Sequence, residues 1–182
     1  MKLIPTHIPD VKIIEPTVFG DARGFFMETW NSETLVSLGL NLTFVQDNHS
    51  RSGQGILRGL HYQLQQTQGK LVRVTTGAVF DVAVDLRQSS PTFGQWFGIE
   101  LSADNHRMLW IPPGFAHGFY VLSESADFLY KCTEPYAPQY DRCLHWNDST
   151  IGIQWPLVNG EMPQLSAKDA AGKYWHEADK FA

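Results

Sequence analysis

Hydrophobic and polar residues alternate along AVFDVAVDL, residues 78–86, with Phe80, Val82, Val84 and Leu86 on one side and Asp81, Ala83 and Asp85 on the other. A period of two belongs to a strand, not a helix. KLVRVTT and Gly77 precede this run, so residues 70–86 are expected to form a hairpin. Similar short segments, bounded by Gly, Pro, Asn and Asp, predict further strands over 11–15, 25–30, 43–48, 56–63, 95–102, 108–111, 118–122 and 127–133. Helix is sparse. Asn31 is placed to cap a short helix running through Leu38 and closed by Gly39, and Ser166 followed by Asp169 resembles a capping box ahead of AAGKYW. This spacing predicts an all-β fold, a jelly-roll barrel or sandwich of antiparallel strands with a few short helices, whose mouth suits a small ligand.

Composition narrows the partners. With 182 residues, 43% hydrophobic and 18% charged, the chain suits one ordinary folded domain, taken as residues 1–182, and no repeat, low-complexity tract or linker divides it. A formal charge of −5 and an isoelectric point near 5.7 provide no basic field. Nucleic acid is therefore disfavoured as the main partner, and an anionic ligand needs a local group of Arg and Lys. Pro5, His7, Pro9 and Asp10 interrupt the N-terminal apolar residues, so no signal-peptide core is expected, and nowhere do eighteen apolar residues run together. A cytoplasmic protein without a membrane partner is the expectation. Cys132 and Cys143 lack CxxC spacing and suggest neither a disulfide framework nor a zinc site; Cys132, in an alternating run, is expected in the core.

One stretch departs from this pattern. QDNHSRSGQGILRGLHYQ, residues 46–63, crowds Asp47, Asn48, His49, Arg51, Arg58 and His61 around Ile56, Leu57 and Leu60. The apolar residues supply a strand-like base on which Arg58 and His61 are held toward a ligand. Gly55, His61 and Gln63 follow the start of the cupin pattern, in which a glycine precedes a His-x-His pair, but the second histidine is absent. IPPGFAHGF keeps the Pro112, Gly114 and His117 spacing of the second cupin pattern. A catalytic metal commonly needs three or more ligands, and two histidines are a poor set. A cupin-like barrel without metal or other cofactor is expected. Stoichiometric iron or a similar metal after purification would instead mark a metal-dependent cupin oxygenase.

The chain resembles the dTDP-4-dehydrorhamnose 3,5-epimerase family through DARGFFMETW (21–30), FVQDNHSRSGQGILRGLHYQ (44–63), KLVRV (70–74), VFDVAVDLRQSSPTFGQW (79–96), IPPGFAHGFYVLS (111–123), FLYKCTEPYAPQYDR (128–142), WNDSTIGIQWP (146–156) and LSAKD (165–169). These strings cover most of the chain. The resemblance implies a metal-free jelly-roll homodimer that inverts C3 and C5 of dTDP-4-dehydro-6-deoxy-glucose. Both carbons flank the C4 ketone, so inversion needs a base, support for the enolate oxygen and an acid on the opposite face. The resemblance assigns His61 as the base, Asp169 as its carboxylate partner and Tyr130 as the acid, while Lys70 stands where an ammonium could face the C4 oxyanion.

Arg23 and Arg58 are the candidates for the diphosphate, because forked donors suit phosphate. Resemblance also places Glu28, Gln46, Asp47, Asn48 and His117 in the ligand site, with Phe26 a stacking surface for thymine. Asp141 occupies a place where the family often has Glu and has the shorter reach. A relative that inverts one centre or acts on another dTDP-4-keto sugar would use the same groups. A non-catalytic sugar-nucleotide-binding barrel would bind dTDP without exchanging protons.

Overall fold

The computed structural model describes residues Met1–Ala182. In chain order its strands are β1 (Lys2–Pro5), β2 (Lys12–Glu15), β3 (Val18–Asp21), β4 (Gly24–Met27), β5 (Gln46–Gly53), β6 (Leu57–Gln63), β7 (Lys70–Thr76), β8 (Ala78–Asp85), β9 (Trp96–Ser102), β10 (Met108–Ile111), β11 (Phe115–Val121), β12 (Ser125–Cys132) and β13 (Asp141–Cys143). Helix α1 (Ser32–Ser37) precedes β5, and α2 (Ala167–Ala170) lies near the C-terminus. A six-stranded sheet, ordered β1-β2-β10-β7-β12-β5, faces a five-stranded sheet, β13-β6-β11-β8-β9, and β3 and β4 form a separate hairpin. Every strand pair is antiparallel. The architecture is a cupin-like jelly roll.

The expected hairpin over 70–86 is not formed. β7 pairs with β10 and β12, whereas β8 pairs with β11 and β9, so the chain crosses from one sheet to the other at Gly77. Gly77 has φ +72°, and a Cβ there would stand 2.0 Å from the Ser125 carbonyl oxygen. Burial explains the choice. Val79 and Ala83 pack between the sheets with Val72, Val74, Phe119 and Phe128, while Val82, Val84 and Leu86 pack on the other side of β8 with Leu144, Ile151, Ile153 and Ala178. A two-stranded ribbon could not cover both faces. Each of the Val, Leu, Ile and Phe side chains contributes about 1.5–3 kcal/mol when fully buried, which pins the irregular C-terminal segment to the sheet and sets α2 beside β6.

Other boundaries differ in instructive ways. The strand expected at 43–48 is found as β5, extending through the polar run to Gly53, where it forms an edge of its sheet with alternating exposure. Charged side chains on an edge strand discourage pairing with other chains. β1, β3 and β13 had no counterpart among the expected strands, and the segment expected at 25–30 ends at Met27. Asn31 does cap α1, accepting from the Thr34 amide, and Gly39 follows with φ +89°. Cys132 is buried in the core. No helix is long and apolar enough to cross a membrane.

Candidate active site

Arg58 and His61 are three residues apart, so a regular strand would point them to opposite faces. The pairing of β6 with β11 prevents this. His117 stands opposite His61 and Phe119 opposite Arg58, leaving Gly118 alone on β11 against Gly59 and Leu60 on β6. The extra residue is a bulge, which re-aims the side chains beyond it. It occurs where Gly59 (φ +120°) meets Gly118 so closely that a Cβ on Gly59 would lie 2.6 Å from the Gly118 Cα. Arg58 and His61 consequently line one cleft of about 310 Å³ with Ser166, Lys168 and Asp169. A narrower recess of about 80 Å³ shares His61 and Lys168 and adds Lys70, Tyr130, Tyr136 and Asp141. Together they have the size of a small-ligand site.

His61 Nε2 lies 2.5 Å from Asp169 Oδ1. Asp169 is 3% exposed, and its other oxygen accepts from the Ser166 hydroxyl at 2.7 Å while Ser166 Oγ accepts from the Asp169 amide. One carboxylate oxygen thus orients His61 while the other holds the Ser166 hydroxyl that caps α2. Burial pulls the Asp169 carboxyl upward, but hydrogen bonds from His61, Ser166 and the Gly59 amide outweigh it and hold the group below its ordinary range. The result is a carboxylate ready to stabilise an imidazolium.

A second His–Asp pair lies one strand away. His117, 6% exposed, is 2.9 Å from Asp81 Oδ2, and Asp81 Oδ1 is buried without a partner. Phe128 stacks against both His117 and Phe119, forming an apolar floor. Burial lowers the His117 imidazole toward its neutral form and raises the Asp81 carboxyl. Burial also lowers the Lys70 ammonium, opposed by the charges of Cys132, Asp141 and Asp81. Tyr130, on β12 of the opposite sheet, is raised chiefly by burial, so its phenol keeps its proton at neutral pH.

The remaining candidates divide by location. Gln46 and Asn48 stand opposite Cys132 and Tyr130, on the interior side of β5, and Gln46 Oε1 accepts from the Tyr136 amide at 2.8 Å. Asp47 faces the other side of the sheet and pairs with Lys131 at 2.9 Å. Asp141 joins the recess, where it accepts from the Tyr136 hydroxyl at 2.8 Å and from Lys168. Arg23 and Phe26 lie apart from the cleft on the β3–β4 hairpin: the Arg23 side chain is 90% exposed and paired to Asp21, and Phe26 is 70% exposed. Glu28 accepts from Asn31 Nδ2 at 2.9 Å beside α1. Sequence reasoning gave no role to Asp81, Ser166 as a partner of Asp169's side chain, Tyr136 or Lys168. For Asp81 the available signal was a carboxylate in the middle of a largely apolar strand.

A sequence model described as dTDP-4-dehydrorhamnose 3,5-epimerase matches residues 5–177. A dTDP-4-dehydrorhamnose 3,5-epimerase of Pseudomonas aeruginosa is 59% identical over 182 residues, covering 100% of this chain and 99% of that protein. Among solved structures, a dTDP-6-deoxy-D-glucose-3,5-epimerase of Legionella pneumophila in complex with dTDP-4-keto-L-rhamnose is similar with TM-score 0.94 and 57% identity, over 98% of this chain and 94% of that one. A dTDP-4-dehydrorhamnose 3,5-epimerase of Bacillus anthracis with TDP and pyrophosphate bound has TM-score 0.91 and 47% identity, over 95% and 98% of the two chains.

Proposed function

The chain belongs to the dTDP-4-dehydrorhamnose 3,5-epimerase family, and from that premise we propose a course of reaction for its own residues. It is an isomerase that inverts C3 and C5 of dTDP-4-dehydro-6-deoxy-D-glucose to give dTDP-4-dehydro-L-rhamnose, on the route to dTDP-L-rhamnose. The observation that carries the residue roles is that His61 and Tyr130 line one recess from opposite sheets. A sugar ring between them has a base on one face and a proton donor on the other, as inversion requires.

His61 removes the proton next to the C4 ketone, and Asp169 stabilises the imidazolium that results. The Lys70 ammonium, held in a low-dielectric setting, supports the charge that develops on the C4 oxygen. Tyr130 then delivers a proton to the opposite face of the carbanion. His117, neutral and tied to Asp81, lines the same interior and serves as a fixed polar contact for the sugar. Arg58 binds the diphosphate at the open end of the cleft, with Asn48, Gln46 and Asp141 supplying hydrogen bonds. Asp47, on the outer face, acts through its hold on Lys131.

We place Arg23, Phe26 and Glu28 in the site of a second copy. Phe19, Phe25 and Phe26 are exposed on the hairpin, an apolar surface that its own chain covers only at Phe25, through His106, and a homodimer in which the hairpin reaches the other cleft gives these residues a ligand to meet. Residues 1–182 form one domain, two of which make the catalytic unit. Two free cysteines suit a reducing, cytoplasmic setting. The test is conversion of dTDP-4-dehydro-6-deoxy-D-glucose by the purified protein, with the product's configuration at C3 and C5 read after borohydride reduction. L-configured sugar supports the reading; unchanged D-configured sugar opposes it.

A further inference from the structure

Cys143 takes no part in the proton transfers, yet it stands against the catalytic pair. On β13 it is directly opposite His61 of β6, so both side chains leave the sheet on the same face. Asp169 reaches them from α2. The Cys143 sulfur is 3.9 Å from the same Asp169 Oδ1 that holds His61. One sulfur, one imidazole nitrogen and one carboxylate oxygen therefore all lie within 4.8 Å of one another.

Zinc accepts this mixed donor set at about 2.0–2.3 Å, which spaces tetrahedral ligand atoms about 3.3–3.8 Å apart. Reaching that spacing needs the imidazole and carboxylate, 2.5 Å apart, to part by about 1 Å and the sulfur to draw in by up to about 1 Å. The Ser166 hydroxyl on Asp169 Oδ2 fixes the carboxylate from behind, as metal-binding carboxylates are commonly fixed. His61 and Asp169 border the cleft, so a fourth position is open to water.

We propose that His61, Cys143 and Asp169 form an inhibitory site for Zn2+ that, when filled, withdraws the base and its carboxylate from catalysis. On binding, the thiol gives its proton to solvent and the sulfur enters as thiolate. No electrons are transferred, and a chelator reverses the step. Mg2+, which prefers oxygen ligands, does not compete. The binding itself is independent of the proposed function; the inhibition rests on His61 being the base.

Co2+ serves as the spectroscopic probe on the full chain, because a thiolate ligand gives a charge-transfer band in the near ultraviolet. The expected result is that band in the wild type, its displacement by Zn2+, and its loss in both Cys143→Ala and Cys143→Ser, each of which retains Cys132. Turnover should fall with added Zn2+ and return with EDTA, and either variant should need at least tenfold more Zn2+ for the same fractional loss of its own activity. No band, a band retained in both variants, or equal zinc sensitivity would overturn the site. A site that fills as expected while turnover continues would overturn the inhibition and, with it, the role given to His61.

Discussion

Replacing Asp169 with Asn keeps the shape beside His61 and removes the charge. The native contact is 2.5 Å long and its carboxylate is 3% exposed, so solvent screens it little. A hydrogen bond to a charged group contributes about 1.5–3 kcal/mol net. If that stabilisation is realised when His61 becomes imidazolium, its loss lowers kcat/KM about 10–150-fold. Folding should change far less, because the Ser166 hydroxyl still accepts from the residue-169 amide and still donates to the remaining oxygen. A Tm within about 4 °C of wild type is expected, the scale of 1 kcal/mol in a chain of this length. The assay is initial-rate conversion of the 4-keto sugar, together with the rate of deuterium entry in D2O, which isolates deprotonation. A loss below threefold in both rates would refute the argument and leave the Asp169 carboxylate as a partner of the α2 cap alone. A loss matched by a Tm drop above about 10 °C would assign the effect to folding.

Tyr130→Phe should retain deuterium exchange at C5 while slowing formation of the inverted product at least tenfold; wild-type epimer ratios would count against the phenol as acid. Mixing Arg23→Ala with His61→Ala, each inactive alone, should restore about a quarter of wild-type activity if the hairpin serves the other subunit, since half the dimers then carry one intact site; no recovery on demonstrated subunit exchange would sink the shared site. Burial raises the Asp85 carboxyl, but bonds from Arg87, Ser90 and Thr92 outweigh it and bring the group to about 2. Its unfolded value is near 3.9, so the stabilisation, about 2–3 kcal/mol, is full above pH 4 and fades as pH falls toward 2. Urea midpoints should therefore separate wild type from Asp85→Asn at pH 7 and converge near pH 2; a gap independent of pH would contradict this.

The strands were legible wherever burial was one-sided or the alternation long, as in residues 78–86, but their partners were not. A glycine between two apolar runs looks alike in a hairpin and at the corner between two sheets, and Gly77 is the second. Arg58 and His61 stood out by composition, whereas the bulge that turns them to one face adds a single residue and has no signature of its own. Asp169 pairs with His61 across 108 positions, and LSAKD carries a local capping pattern that accounts for it equally well. Asp81 was read as the polar side of an alternating strand. Only the position of β8 between β11 and β9, with both faces covered, shows that this side is the barrel interior.

Proton NMR of dTDP-4-dehydro-6-deoxy-D-glucose in D2O, with wild type and His61→Ala in parallel, tests the central claim most directly. Wild type should erase the C3-H and C5-H signals and yield the L-configured sugar, while His61→Ala, folded and still binding dTDP, should leave both signals in place. Loss of one signal would mark an epimerase of a single centre. Persistence of both with wild type, or exchange undiminished in the variant, would contradict the assignment of His61 as the base of a 3,5-epimerisation.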